Sequence, residues 1–176
     1  MKPDILKRET VYQGKFVTIR HDTINLDGKE YIREVVESGN GVLIAAITDK
    51  NQIVLVKQYR HNHGQVYEVP AGAIKPGETP LQAAKRELKE EAGITAKRWQ
   101  LMSTHHNGIH NEGLNYFFLA QNLSFHQPAL DSDETIHGFE PVNFGQANKL
   151  MEQHKIPDLR NRACIWRAQL LLSPRN

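Results

Sequence analysis

The chain has 176 residues, enough for one domain with a sizeable core, and its 39% hydrophobic and 24% charged residues are ordinary for a globular protein. A net charge of +2 favours neither nucleic acid nor an anionic membrane as a partner, and we expect neither. The single cysteine, Cys164, excludes an intrachain disulfide and a cluster of zinc-binding thiolates. Because we find neither a signal peptide nor a membrane span, we expect a cytoplasmic protein.

The N-terminal part of the chain has the pattern of an antiparallel sheet. Polar and apolar residues alternate between Val11 and Val36, and Asp27-Gly28 is a strong signal for a hairpin turn. We expect residues 1–38 to form this sheet as a subdomain and residues 39–176 to form the main domain.

Short apolar runs predict the strands of the main domain. Val42–Ile47 is wholly apolar, as expected of a buried strand, and Asp49–Asn51 predicts a turn. Ile53–Tyr59 follows as its expected partner, so a hairpin should enter the core. Two further strands are predicted at Tyr116–Ala120 and Val142–Phe144.

The clearest predicted helix runs from Thr79 to Ala92. Thr79 and Gln82 have the spacing of a capping box, Pro80 falls at the first helical position, and Gly93 follows the last apolar residue. The expected apolar stripe consists of Leu81, Ala84, Leu88 and Ala92. Helical spacing also predicts a helix between Gly145 and Pro157 and another at Leu159–Leu172, so the fold class is α+β.

One motif lies across the first helix and the loop before it, with the spacing G-x5-E-x7-R-E-L-x-E-E-x-G-I. Its fixed residues are Gly72, Glu78, Arg86, Glu87, Leu88, Glu90, Glu91, Gly93 and Ile94. Helical geometry places the carboxylates of Glu87, Glu90 and Glu91 on one side of the helix, and we expect this side to lie opposite the apolar stripe. Their mutual repulsion is relieved when a hard divalent cation such as Mg²⁺ or Mn²⁺ takes the oxygens as ligands. Without the loop residues, the same spacing would indicate a solvated acidic helix face.

This motif is the signature of the Nudix hydrolases, and the chain resembles that superfamily from about Tyr12 to Leu172. The resemblance implies an α/β/α sandwich with a mixed central sheet, joined to the N-terminal antiparallel sheet. It also implies metal ligands and a salt bridge that braces the loop. The ligands would be the carbonyl of Ala71 and the carboxylates of Glu87, Glu90 and Glu91, with Glu90 also catalytic; the salt bridge would join Glu78 to Arg86.

A general base completes the expected site. In the group that cuts ADP-ribose and nucleoside diphosphate sugars, this base lies on a loop well after the motif. The acidic segment Leu130–Ile136 resembles that loop. We match Glu134 to the base, with Asp131 and Asp133 as alternatives, whereas composition alone would equally indicate a solvated acidic turn.

Other residues resemble the same pyrophosphatase group. Gln58–Arg60 before Glu68–Gly72 is typical of it, and the resemblance implies that Arg33 and Arg60 contact the substrate. The group exchanges its N-terminal sheet across a dimer, so we expect a homodimer. In the segment from Thr104 to Glu112, Gly108 and Glu112 fit a substrate-binding loop, but the usual proline is missing.

The sequence therefore predicts Mg²⁺-dependent hydrolysis of ADP-ribose or a related nucleoside diphosphate sugar to a nucleoside monophosphate and a sugar phosphate. Three alternatives follow from the same residues. They are a hydrolase that prefers GDP-sugars, a hydrolase that removes damaged nucleoside triphosphates, and a nucleotide-sugar sensor without turnover. A transition-metal site is a further interpretation of the histidines His105, His106 and His110. The simpler interpretation is that they are ordinary polar residues of a loop.

Overall fold

The structure, a computed structural model, describes residues 4–127 and 136–173. The strands in these ranges are β1 (Asp4–Gln13), β2 (Val17–Leu26), β3 (Lys29–Ser38), β4 (Gly41–Ala46), β5 (Ile53–Arg60), β6 (Gly64–Glu68), β7 (Ala71–Ala73), β8 (Ile94–Gly108), β9 (Asn111–Phe125) and β10 (Ile136–Val142). The helices are α1 (Pro80–Ala92), α2 (Phe144–Glu152) and α3 (Leu159–Leu172). The chain divides into an N-terminal unit, made of the described residues up to Asn40 with His105–Asn115, and a core unit made of the other described residues.

The N-terminal unit contains the predicted antiparallel sheet. β1 pairs with β2, and β2 pairs with β3 through a two-residue turn in which Leu26 lies opposite Lys29. Asp27 and Gly28 both have positive φ, 53° and 78°, as the tight hairpin turn requires. This prediction is confirmed, and the sheet begins earlier than its polarity pattern indicated, at Asp4.

The segment 105–115 also belongs to the N-terminal unit. Val36 of β3 pairs in parallel with Asn111 of β9, which makes the sheet mixed. A boundary drawn after residue 38 therefore leaves out a part of the chain that packs with the first three strands. Periodicity describes neighbours in sequence, and this pairing joins residues that are far apart in sequence.

The predicted hairpin of β4 and β5 is wrong, because the two strands belong to different sheets. β4 pairs with β7, with Leu43 opposite Ala71, whereas β5 lies between β6 and β10 in a three-stranded sheet. A single bridge, Ile47 to Ile53, joins the ends of the two runs. Both strands are buried on both faces, and a run of this kind does not specify which strand lies beside it.

Alternate residues of β4 point into two separate cores. Val42, Ile44 and Ala46 pack in the cluster that includes Leu88 of α1. Leu43 and Ala45, with Ile47 just after the strand, pack in the cluster that includes Ala147 of α2 and Ile165 of α3. Helices therefore cover both sides of the strands, and the predicted α/β/α sandwich is confirmed.

The first helix begins and ends as the sequence predicts. The Thr79 Oγ1 accepts a hydrogen bond from the Gln82 amide at 3.3 Å, and the Gln82 side chain accepts one from the Thr79 amide at 2.8 Å. Gly93 ends the helix with a φ of 62°. Leu81, however, was wrongly assigned to the apolar stripe, since it is 36% exposed and Ala83 is buried instead.

The remaining helices are also confirmed. α2 begins at Phe144, one residue after its cap Asn143, so the strand predicted at Val142–Phe144 ends at Val142. α3 has the predicted bounds and is capped by Asp158. Within the described ranges, no helix is both long enough and apolar enough to cross a membrane.

Candidate active site

The acidic residues of α1 lie on the inward side of the helix rather than opposite its apolar stripe. Glu87 and Glu91 are only 6% and 5% exposed, and Glu90 is partly exposed. The expectation that the carboxylates face away from the stripe is therefore wrong. At 100° per residue, Glu91 lies next to the buried Ala84 and Leu88, so the acids border the core.

The loop before the helix contacts the two buried acids through its backbone. The Ala71 amide donates to the Glu91 Oε2 at 2.9 Å. A Cβ atom added to Gly72 would overlap the Glu87 carboxylate, so only glycine allows this close approach. Ala71 and Gly72 also pair with β4, which fixes the loop to the central sheet.

Arg86 binds three carboxylates and the loop at once. Its Nη1 donates to Glu87 at 2.6 Å and to Glu90 at 2.9 Å. Its Nε and Nη2 donate to both oxygens of Glu78 at 2.7 and 2.9 Å, and Nη2 also donates to the Ala73 carbonyl at 2.9 Å. The Arg86 hydrogen bonds lower the pKa of Glu78 to about 2 and, in return, raise the pKa of Arg86.

The donor set of this cluster fits a hard divalent cation. Arg86 binds the carboxylates of Glu78, Glu87 and Glu90, and the buried Glu91 follows Glu87 by four residues on the same helix, so four carboxylates are gathered here. Carboxylate and carbonyl oxygens are the ligands that Mg²⁺ and Mn²⁺ take. In residues 4–127 and 136–173, no three acidic, histidine or cysteine side chains converge as one ligand set. Arg86 and the Ala71 amide hold the oxygens instead.

A second group of charges lies near the same acids in the core unit. Arg60 donates to both oxygens of the buried Glu68, at 2.9 and 2.6 Å, and this raises the pKa of Arg60. The charge of Glu91 adds to the same effect, so Arg60 is within electrostatic reach of the helix acids. Arg160 pairs with Asp158 at 2.5 Å, and the sequence patterns did not single out this pair.

The other expected substrate contacts lie in the N-terminal unit. Arg33 is exposed and lies over the Tyr31 ring, with 5.1 Å between the guanidinium carbon and the ring centroid. Gly108 and Glu112 line a pocket of about 700 Å³ together with His106, Ile109 and Asn111. Arg33, Gly108 and Glu112 therefore belong to one unit, and Arg60 and the helix acids to the other.

Arg20 is a buried residue that the sequence analysis missed. It donates to Asp22 at 2.8 Å, to both oxygens of Glu112 at 2.8 and 2.6 Å, and to Glu37. These hydrogen bonds lower the pKa values of Asp22 and Glu112 and raise that of Arg20. The only sequence signal was an arginine and an aspartate two apart on one strand, which places both side chains on the same face.

The expected general base lies outside the described residues. Glu134 and its alternatives Asp131 and Asp133 fall in the gap between residues 127 and 136. Their assignment as the base therefore stays a prediction from the resemblance.

The fold and the acidic site together define a class of enzymes, and comparison with known proteins identifies it. The family model for the NUDIX domain matches residues 38–161. A crystal structure of an ADP compounds hydrolase superposes with a TM-score of 0.84 over 98% of this chain and 95% of that one, at 23% identity, which shows the shared fold. The chain belongs to the Nudix family and is a Nudix hydrolase.

Three relatives with assigned names are similar to this chain over half of its length or more. An ADP-ribose pyrophosphatase of Bacillus subtilis (strain 168) is 33% identical over 171 residues, 94% of this chain and 91% of the relative. A methanol dehydrogenase activator of Bacillus methanolicus is 30% identical over the same shares of both chains. An ADP-ribose pyrophosphatase of Mycobacterium tuberculosis is 38% identical over 102 residues, 56% of this chain and 49% of the relative.

Proposed function

We propose that this chain hydrolyses the diphosphate bond of ADP-ribose or a related nucleoside diphosphate sugar, with Mg²⁺ as its metal and Mn²⁺ as a substitute. The products would be a nucleoside monophosphate and a sugar phosphate. The observation that carries the proposal is the contact of the Ala71–Gly72 backbone with Glu87 and Glu91 on the buried side of α1. The full-length similarity to an ADP-ribose pyrophosphatase supports the choice of substrate.

The metal would be held by the Ala71 carbonyl with Glu87, Glu90 and Glu91. A divalent cation bound there supplies charge neutralisation on the diphosphate and lowers the pKa of a bound water. The Arg86 Nη1 donates hydrogen bonds to both Glu87 and Glu90 and so sets the distance between these two acids. Its Nη2 donates to Glu78 and to the Ala73 carbonyl, which keeps the loop beside the helix. Glu90 is the least buried of the three acids on α1, which suits a group that exchanges protons or ligands during turnover.

Arg60 is the best-placed substrate contact in the core unit. The Nε and Nη2 atoms of Arg60 donate hydrogen bonds to Glu68. Among the described residues, the Nη1 atom of Arg60 has no hydrogen-bond acceptor. A guanidinium oriented in this way offers its free edge to phosphate oxygens without losing much side-chain entropy. The resemblance also assigns substrate contacts to Arg33, Gly108 and Glu112, and Glu134, or else Asp131 or Asp133, would take the proton from water.

The test is a substrate panel with Mg²⁺ or Mn²⁺ and product identification. It contains ADP-ribose, ADP-sugars, GDP-sugars and nucleoside triphosphates. We expect AMP and ribose 5-phosphate from ADP-ribose, and no turnover when EDTA is present. Preference for GDP-sugars or triphosphates would replace the proposed substrate, and binding without turnover by the folded protein would establish the sensor alternative.

We also propose that the chain forms a cytoplasmic homodimer through its N-terminal sheet. Every residue of β1 is exposed, including Ile5, Leu6, Val11 and Tyr12, and Phe16 in the following turn is 79% exposed. Exposed apolar side chains in such number mark an interaction surface. Light scattering should give twice the chain mass, and a shift to the monomer mass on Leu6→Lys with Tyr12→Lys would support this surface.

A second candidate function comes from the relative named as a methanol dehydrogenase activator. In that case the chain would raise the activity of a methanol dehydrogenase. The measurement is the rate of methanol oxidation by a methanol dehydrogenase with and without this chain. If the original chain raises this rate and the turnover-deficient Glu91→Gln variant does not, activation of the dehydrogenase depends on the hydrolase activity.

A further inference from the structure

The segment Glu68–Ala71 carries the backbone from one sheet to the other directly before the candidate metal site. β6 ends at Glu68 in the three-stranded sheet, and β7 begins at Ala71 beside β4. The residues between these strands have no ladder of their own. Their buried polar groups therefore need partners from elsewhere, because a buried amide without a hydrogen-bond acceptor destabilises the fold.

Asn161 supplies the partner for Val69. Its Oδ1 accepts a hydrogen bond from the Val69 amide at 2.7 Å, and Val69 and Asn161 are 0% and 3% exposed. The next residue, Pro70, has no amide hydrogen, and its carbonyl accepts from the Ile44 amide at 2.8 Å. The segment between the two sheets is thus held at Val69 by the Asn161 side chain and at Pro70 by the backbone of β4.

Asn161 is itself fixed within the first turn of α3. Asp158 caps this helix and accepts hydrogen bonds from the backbone amides of Arg160, at 2.7 Å, and Asn161. Arg162 donates to the carbonyls of Ile156 at 2.6 Å and Met151 at 3.0 Å, which joins α3 to the loop before it and to the end of α2. The helix start that carries Asn161 is therefore held by its cap and by Arg162, and the Asn161 Oδ1 reaches Val69 from this fixed backbone.

A displacement of Val69 would pass to Ala71. Only Pro70 separates the two residues, and its ring fixes φ, which removes one of the torsions that could absorb a shift. The Ala71 amide is bound to Glu91, and Gly72 touches Glu87 with no room to spare. A movement of Val69 would therefore change the backbone contacts of Glu91 and Glu87.

We propose that Asn161 is a positioning residue of the metal site, acting through Val69 to place the Ala71 carbonyl beside Glu87 and Glu91. The inference rests on the proposed function, in which that carbonyl is a metal ligand. Groups that orient metal ligands from behind typically change metal affinity by 10–100-fold when they are removed. No local pattern indicates this role, since Asn161 lies in a helix far from the motif.

The experiment measures Mn²⁺ binding by calorimetry, with no substrate, on the full chain and three variants. Asn161→Ser keeps a small polar side chain whose oxygen stops one bond short of Val69. Asn161→Asp keeps the acceptor at the same position. Cys164→Ala is the matched control, because Cys164 is fully buried one turn further along α3 and its sulfur interacts with the Ala45 backbone, whereas the Val69 amide is bound by Asn161. Hydrogen exchange of the Val69 amide and thermal unfolding are recorded for each protein.

We expect Asn161→Ser to bind Mn²⁺ about ten-fold more weakly or worse, with faster exchange at Val69. Asn161→Asp should stay within about three-fold of the original chain, and Cys164→Ala should lower the melting temperature without weakening Mn²⁺ binding. Unchanged affinity in Asn161→Ser, or an equal loss in Cys164→Ala, overturns the inference. An unmutated chain that binds no Mn²⁺ overturns the proposed function as well, whereas one that binds Mn²⁺ without cutting ADP-ribose overturns only the substrate assignment.

Discussion

Two arginines in this protein each bind three carboxylates, and the surroundings give the two clusters different roles. Around Arg20 the carboxylates come from three strands: Asp22 from β2, Glu37 from β3 and Glu112 from β9. Such a cluster joins elements that are distant in sequence. Arg8, with its Nε 3.7 Å from Asp22, adds a second positive charge to it.

Around Arg86 the carboxylates come from a single helix and the loop before it. Glu87 and Glu90 bind the same nitrogen, Glu78 binds the other two, and Glu91 adds a fourth carboxylate on the buried side. At Arg20, the arginine and its carboxylates therefore join three strands through hydrogen bonds. At Arg86, the same chemical groups gather four carboxylates beside one loop, and carboxylate oxygens are the ligands that a hard divalent cation takes.

The largest expected difference is in catalysis. Glu91→Gln keeps the shape of the side chain but removes a charge from the proposed metal site, and kcat should fall by about 10³-fold or more. Glu37→Gln removes one carboxylate from the Arg20 cluster and should leave kcat within about two-fold. Steady-state kinetics with ADP-ribose, with circular dichroism as a check of folding, makes the comparison. Near-normal turnover by Glu91→Gln would remove Glu91 from the metal shell.

A second test concerns the close approach of loop and helix. Gly72→Ala places a methyl group on the Glu87 carboxylate, so loop and acid must separate, and kcat/KM should fall by about 100-fold. Gly39→Ala is the matched control, because an added Cβ there meets nothing within 4 Å. Equal kcat/KM values for the two variants would show that the contact with Gly72 has no part in turnover.

A third test concerns the stability that the Arg20 cluster contributes. Arg20→Met leaves three carboxylates without their shared partner and should lower the free energy of unfolding by about 1–3 kcal/mol, because Glu37 and Glu112 are partly solvated. Arg98→Met removes an exposed arginine and should change it by less than about 0.5 kcal/mol. Urea unfolding gives both values, and indistinguishable midpoints would contradict the cross-linking role.

The smallest expected effect is a dependence of stability on pH. The pKa values of Asp22 and Glu112 are lowered in the folded protein, first by their hydrogen bonds to Arg20. Their contribution to stability is therefore complete above the unfolded pKa values, about 3.9 and 4.3, and is lost as the pH falls through the folded ones. Melting temperatures between pH 6 and pH 3 should fall more steeply for the original chain than for Arg20→Met. Parallel curves would count against this linkage.

Local patterns were sufficient for much of the fold. The cap at Thr79, the stop at Gly93 and the turn at Asp27-Gly28 each depend on neighbouring residues, and each is present as predicted. Pairing between strands was less predictable. The apolar runs of β4 and β5 are adjacent in sequence but lie in different sheets, since burial on both faces leaves the partner undefined.

The candidate site divides in the same way. The motif named Glu78, Arg86 and the acids of α1, because residues three and four apart on a helix must be neighbours. It did not show that Glu87 and Glu91 face the core, because their burial depends on the loop at Ala71 and Gly72.

The sequence by itself determined the family, the helix α1 and the acidic residues of the motif, because all of these depend on residues close to one another in sequence. Only the tertiary structure decided that Arg20 collects carboxylates from three strands and that Asn161 holds the amide of Val69. The physical reason is that a hydrogen bond between distant residues depends on where the packed sheets and helices bring them, and no local periodicity records that position.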